Sequence, residues 1–179
     1  VCDDRAYAEL CLYAELLKSS PRKSFASWDS DSSGMEMHFK DSFQTLPEKP
    51  SGLFLDVGSG AGIPGIIYAI LWPETSGVLL DSQARRCDFL RSVLSALKMD
   101  DRIRVVCERA EMAAHEAGHR ESYSLVTARA LAVFPAFLEY TAAFVKPGGI
   151  LQAIRGNKDK NLLQEYEKAI HQMELKPLC

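Results

Sequence analysis

The stretch from Leu53 to Gly65, LFLDVGSGAGIPG, constrains this chain more than any other. A short run of β-formers carries an acid, Asp56, and breaks into a turn with glycines at 58, 60 and 62. Pro64 and an apolar run from Ile66 to Trp72 follow. That order reads as strand, loop, helix, with Pro64 suited to a first helical turn whose N–H needs no intrahelical partner. Glycine is required where a backbone turns sharply and lets a ligand approach without an intervening Cβ. The helix N-terminus behind the loop adds free N–H groups and a partial positive charge. The segment is therefore a candidate cradle for a nucleotide-type cofactor.

Two cofactor classes use such a cradle. A dinucleotide site wants G-x-G-x-x-G directly after the strand, and the register that starts at Gly58 puts Ile63 where the third glycine should be. The register Gly60, Gly62, Gly65 fits only by starting three residues beyond the strand's last apolar residue. Acid-x-G-x-G-x-G fits without slippage as Asp56, Gly58, Gly60 and Gly62, and that spacing favours S-adenosylmethionine (SAM). An ordinary glycine-rich βα turn is the remaining alternative. The loop residues proposed to touch the cofactor are Asp56, Gly58, Ser59, Gly60, Gly62 and Ile63.

A second strand ends at Asp81, 25 residues after Asp56. A carboxylate there can accept hydrogen bonds from both ribose hydroxyls, as in dinucleotide folds. Asp81 could equally cap the following helix, and so could Ser82; both are placed at the cofactor. The helix expected near 83–98 carries Phe89, Leu90, Val93, Leu94 and Leu97 on one stripe, with Arg91 and Lys98 opposite. Arg86 falls in its first turn, at the sheet's carboxyl edge where open α/β folds bind ligands, and is a candidate for substrate phosphate.

From residue 51 onward strands and helices alternate. Strands are expected near 53–57, 77–81, 103–107, 123–128 and 149–154, and helices near 63–72, 83–98, 131–145 and 158–173. Pro147-Gly148-Gly149 reads as a turn feeding the fifth strand. This is an α/β pattern that gives a doubly wound, mostly parallel sheet with right-handed crossovers. Residues 1–50 form an N-terminal extension before the domain at 51–179. Residues 3–18 read as a helix with Tyr7, Leu10, Cys11, Ala14 and Leu17 on one face. Residues 19–34 read as a polar loop.

Several of these residues occur together, in order, in one known family. Asp56-Val57-Gly58-Ser59-Gly60-Ala61-Gly62-Ile63-Pro64-Gly65, then Leu79-Leu80-Asp81-Ser82 with Arg85-Arg86 and Phe89-Leu90-Arg91, then Arg109-Ala110-Glu111, then Thr127-Ala128-Arg129-Ala130 resemble the glucose-inhibited division protein B family. These are bacterial small-subunit rRNA guanine-N7 methyltransferases of Rossmann-like, SAM-dependent fold. The resemblance runs from about His38 to Gly156. It implies SAM contacts at Gly58, Ile63, Ala110, Glu111 and Arg129, and it matches His38 and Asp41-Ser42 to the family's His-x-x-Asp-Ser segment. Read alone, Asp41-Ser42 is a helix cap or turn. Glu111 could cap a short helix, and Arg129 could pair with Asp56 or hold a carboxylate or phosphate.

The chain departs from the family in four places. Met37 stands where a basic residue is usual, and Arg155-Gly156 replaces Lys-Gly, which alters donor geometry. The upstream Trp-Asn-Leu segment is not recognisable, Trp28 lying in a Ser/Asp-rich stretch, and the sequence stops before the family's last antiparallel strand. His38, Arg86 and Arg155 are the candidate substrate contacts, with Phe39, Phe134 and Arg155 as candidate platforms for a splayed base. No catalytic acid–base pair is evident, and guanine N7, which has a lone pair and no proton, needs none. The alternatives are a SAM methyltransferase with a small-molecule or protein acceptor, and a non-catalytic relative that binds RNA or SAM.

The remaining bounds are looser. Net charge is −3, against indiscriminate nucleic-acid binding. A local excess exists between Gln83 and Arg104, where Arg85, Arg86, Arg91, Lys98, Arg102 and Arg104 face only Asp88, Asp100 and Asp101. Five cysteines without C-x-x-C spacing argue against a disulfide framework or metal site. With no apolar run near the ~20 residues of a membrane span, and an opening stretch unlike a secretion signal, a cytoplasmic monomer is expected. Its expected partner is small-subunit rRNA or the assembling subunit.

Overall fold

The computed structural model describes residues 3–20, 32–129, 134–155 and 162–176. Helices α1 (Asp4–Ser19) and α2 (Ser32–Gln44) precede β1 (Phe54–Val57), α3 (Gly65–Leu71), β2 (Gly77–Asp81), α4 (Ala84–Ala96), β3 (Ile103–Cys107), α5 (Ala110–Ala113) and β4 (Tyr123–Arg129). Then come α6 (Phe134–Thr141), a 3-10 turn (Ala142–Phe144), β5 (Val145–Ile154), α7 (Leu162–Glu165) and α8 (Glu167–Gln172). The five strands pair in the order β3-β2-β1-β4-β5, all parallel. The chain order reverses beside β1, which creates the switch point where such sheets bind ligands.

Strands covered on both faces should be apolar almost throughout, and every residue of β1 and β2 is buried. Phe54, Leu79 and Leu125 meet α1, α3 and α4 in one core. Leu55, Val57, Val78, Leu80 and Val126 meet α5, α6 and α8 in the other. Asp56 has the parity of Phe54, so it faces α1 and α3. On α4, Leu90, Val93 and Leu94 are buried, as is Leu97 at its C-terminal cap, while Phe89 of the expected stripe is partly buried.

Four sequence expectations need correction, besides the polar loop read at 19–34, which lies mainly outside the described residues and whose last residues, Ser32–Gly34, open α2. On α1 the buried face is Ala6, Leu10, Tyr13 and Leu17; Tyr7 is 67% exposed and Cys11 is also exposed. The i, i+4, i+7, i+11 spacing of that face is helical, but the aromatic that follows it is Tyr13 rather than Tyr7. Asp41-Ser42, read as a cap or turn, lies inside α2. This helix has little apolar periodicity, since only Met35 and Ser42 of its described side chains are buried, and packing rather than propensity holds it. Pro147-Gly148-Gly149 is not a turn ahead of β5 but an irregularity within it. Tyr123 pairs with Val145 and Leu125 with Ile150, and Gly148 has φ +76°. An edge strand tolerates the missing proline N–H at such a bulge. The helix expected at 158–173 is two short ones, α7 and α8, with residues 156–161 outside the described set.

The basic stretch at 83–104 is also less available than its composition implies. Arg102 donates to the carbonyls of Ala69 (2.8 Å), Trp72 (3.4 Å) and Thr75 (2.9 Å), closing the C-terminal end of α3. Arg91 pairs with Asp88 at 2.9 Å and Arg86 with Asp81 at 3.6 Å. No helix among the described residues is long and apolar enough to cross a membrane.

Candidate active site

Parallel register sets the carboxyl ends of four strands side by side. Val57 pairs with Leu80 and with Ala128, and Asp81 pairs with Cys107. The glycine loop, Asp81, the 108–111 segment and Arg129 therefore share one edge.

The loop is built by its backbone. Gly58, Gly60 and Gly62 have φ of +70°, +57° and +96°. The amides of Gly58 and Ser59 donate to the Leu80 carbonyl at 2.8 and 3.0 Å, and that of Gly62 donates to the Ser59 carbonyl at 2.7 Å. The Ser59 hydroxyl turns inward and donates to the Asp56 carbonyl at 2.8 Å. A Cβ built on Gly62 would lie 2.4 Å from Ile66 Cδ1, so this glycine also lets α3 approach the loop. Gly65, outside the proposed contacts, is similarly tight: its Cβ would lie 2.5 Å from Leu79 Cδ2 and 2.6 Å from Asp56 Oδ2. Ile63 is buried beneath the turn.

Asp56 and Asp81 divide the work of holding this loop. Asp56, 1% exposed, accepts from the Gly65 amide through Oδ2 at 3.2 Å, which fixes the start of α3. Asp81 Oδ2 accepts from the Gly60 amide at 2.8 Å and Oδ1 from the Gln83 amide at 2.9 Å. Asp81 thus clamps the loop to the entry of α4, with Arg86 beside it. Ser82 is exposed. Glu111 is exposed in the first turn of α5, where an acid suits the helix N-terminus, and Ala110 is half-buried.

Burial pushes the Asp56 carboxyl up to about 7 from its ordinary 3.8. The folded state thus binds that proton more tightly than the unfolded chain between these values. Stability from this group is then greatest below about pH 4 and falls by a few kcal/mol as pH rises to about 7. Asp56→Asn should flatten that fall relative to wild type in urea unfolding at a series of pH values. Identical pH profiles for the two proteins would refute it.

Arg129, at the end of β4, makes no ion pair with Asp56 among the described residues, which sets aside that structural alternative. Its Nη2 donates to His38 Nδ1 instead, across from α2. Its Nη1 is buried with no hydrogen-bond partner. Asp41, Asp56 and Tyr13 all act on this guanidinium electrostatically, while desolvation is the largest influence and lowers its pKa. A buried guanidinium N–H without an acceptor is costly, so the site is chemically set to receive an anion.

Two contributors escaped sequence reasoning. Tyr13 is fully buried and donates to the Ala61 carbonyl at 2.8 Å, so α1 braces the back of the glycine loop. Its place on the helical stripe was the available signal. Gln152 Oε1 accepts from the Tyr68 and Thr127 hydroxyls at 3.0 and 3.1 Å, and its Nε2 donates to the Thr45 carbonyl. It ties the end of α2 to β5, and no motif marks it.

The proposed base platforms are placed differently. Phe134 is buried in the core, with its ring stacked against Phe137 at 5.8 Å. Arg155 lies over the rings of Phe134 and Phe137 at 5.8 and 5.6 Å. Phe39 packs against Tyr13 at 5.5 Å. Phe134 is therefore a core aromatic rather than an open stacking face, and Phe39 is partly buried against the core. Among the described residues, no group of three His, Cys, Asp or Glu is placed to hold a metal ion.

Comparison with known proteins gives the site a context. The family model described as rRNA small subunit methyltransferase G matches residues 7–178. The chain is 34% identical over 172 residues to ribosomal RNA small subunit methyltransferase G of Alkaliphilus metalliredigens, covering 94% of this chain and 72% of that protein. Against the protein of that name from Acetivibrio thermocellus the identity is 36% over 171 residues, covering 94% and 70%. Against that from Desulfitobacterium hafniense it is 39% over 133 residues, covering 74% and 55%. The chain thus spans between about half and three-quarters of these relatives' lengths. In fold it is similar to a SAM-dependent methyltransferase from Geobacter sulfurreducens in complex with S-adenosyl-L-homocysteine, with TM-score 0.54, 15% identity and coverage of 76% and 62%. It is likewise similar to the C-terminal domain of precorrin-6Y C5,15-methyltransferase from Rhodobacter capsulatus, with TM-score 0.57, 14% identity and coverage of 82% and 74%.

Proposed function

Because the chain belongs to the rRNA small subunit methyltransferase G family, we propose that it transfers a methyl group from SAM to N7 of a guanine in small-subunit rRNA. The observation that carries this reading is the shared edge of the glycine loop, Asp81 and Arg129. The residues fit the cofactor. Positive φ at Gly58, Gly60 and Gly62 shapes the turn, with Gly62 packed against Ile66 and Leu90 and Gly58 and Gly60 the glycines proposed to admit close backbone approach. Asp81 offers acceptor lone pairs to a ribose, and Arg129 carries an unpartnered, buried N–H suited to an amino-acid carboxylate. Ala110 and Glu111 open the short helix after β3, where they would flank the adenine.

Bound there, SAM supplies an electrophilic methyl group on a sulfonium. The chain's own task is to align donor and acceptor and to exclude water, which can contribute about 7–11 kcal/mol in ideal cases. N7 presents a lone pair and no proton, so the acceptor needs no general base. The residues at this edge agree with that. His38 Nδ1 is taken up by Arg129, Asp56 is closed in beneath the loop, and Glu111 faces solvent. Arg86 and Arg155 remain the proposed contacts to RNA, and the cytoplasm, where rRNA is processed, the proposed location.

N7 methylation fixes a positive charge on the imidazole ring, which opens the base to borohydride reduction and aniline strand scission. Small-subunit rRNA from a strain lacking this enzyme, incubated with protein and SAM, should acquire one new cut at a guanine. Methyl incorporation without such a cut would move the chemistry to another atom.

A further inference from the structure

We propose that His38 is the positioning residue that holds Arg129, without adding a counter-charge of its own, for the carboxylate of the cofactor's amino-acid end. The inference rests on the reading of Arg129 given above. It concerns the contact by which α2 reaches the end of β4 through a ring nitrogen.

The guanidinium can only donate, so the ring nitrogen it meets must accept. His38 is therefore neutral in this arrangement, with its proton on Nε2. Desolvation, and secondarily the arginine itself, lower the His38 pKa against the opposing pull of Asp41, which favours this form. Asp56 from β1 and Tyr13 from α1 also act on the guanidinium. A neutral acceptor differs physically from a carboxylate in the same place. An acid in that contact would fix the guanidinium and add a further counter-charge to those of Asp41 and Asp56, whereas imidazole fixes it without adding one. The structure shows the rest of that design. Nη2 is held, and the adjacent Nη1 is buried without a partner. A flexible arginine fixed by one prong presents the other at lower entropic cost on binding. The histidine's own backbone is steadied by Ser42, 1% exposed, whose hydroxyl donates to the His38 carbonyl at 2.9 Å.

The test is calorimetric titration of the full chain with S-adenosylhomocysteine and with 5′-methylthioadenosine, which lacks the amino-acid carboxylate. Arg129→Ala should weaken the first ligand by about 10-fold or more and leave the second unchanged. His38→Ala should weaken S-adenosylhomocysteine about 5- to 10-fold and again spare methylthioadenosine. The double variant should bind no more weakly than Arg129→Ala alone, because the histidine acts only through the arginine. His38→Asn, whose carbonyl can replace Nδ1 as acceptor, should restore affinity to within about 2-fold of wild type. This also separates the effect from a failure to fold. Losses that multiply in the double variant, or that strike both ligands alike, or that Asn does not rescue, overturn the role of His38 while leaving Arg129's intact. If Arg129→Ala leaves S-adenosylhomocysteine binding unchanged, the reading of Arg129 itself is overturned, and the role of His38 with it.

Discussion

Gly60→Val is expected to abolish SAM binding while leaving the sheet and most helices in place. Gly60 has φ +57°, a left-handed conformation that costs an L-residue about 1–2 kcal/mol and is a genuine outlier for a β-branched one. Its amide donates to Asp81 Oδ2 at 2.8 Å, so relaxing the strained φ would pull that donor from the clamp. Either the loop keeps its shape and carries an isopropyl group where the cofactor should approach, or it moves and releases Asp81. Both outcomes empty the site. Circular dichroism should report near-native helix content, and titration with S-adenosylhomocysteine should show no heat of binding. Native affinity in this variant would mean that the glycine loop is not the cradle.

Legibility in the sequence followed the strength of local constraints. The loop was readable because positive φ and close approach both demand glycine, and Gly58, Gly60 and Gly62 supply it at fixed spacing after a buried strand. Asp81 was readable because the end of β2 must fall beside that loop in any βαβ unit. The α4 stripe was readable because its apolar residues recur at helical period. What escaped depended on contacts distant in sequence. Helix α2 packs a histidine and a serine toward the sheet, so hydropathy carries little trace of it. Tyr7, placed on the apolar face by its spacing, is exposed, and packing buries Tyr13 instead. The partner of Arg129 was uncertain for the same reason. Asp56 was a plausible choice at that edge, and His38, 91 residues away, is the one that the fold delivers. Phe134 lost its candidacy as a platform because α6 turns it into the second core.

Asp81→Ala carries the other large expected effect, a loss of about 1.5–3 kcal/mol in SAM affinity, the range for hydrogen bonds to a charged acceptor. Both of its oxygens already accept a backbone N–H, from Gly60 and from Gln83, and that bears on how the result is read. Each carboxylate oxygen has two lone pairs, so accepting one amide leaves acceptor capacity for a ribose hydroxyl, which would have to reach a side chain that is only 3% exposed. The internal bonds then orient the acid rather than consume it. Removing it should therefore lower stability as well, since the Gly60 amide, buried at 2.8 Å from Asp81, would lose its acceptor. The two losses separate by measurement. Urea unfolding without ligand gives the clamp's share, and calorimetry on protein still folded at the assay temperature gives the ribose's share. Titration with adenosine alone should show the same weakening as titration with S-adenosylhomocysteine, because the ribose is common to both. Reduced stability with undiminished affinity for either ligand would leave Asp81 a structural clamp between the loop and α4, and the ribose would need another acceptor.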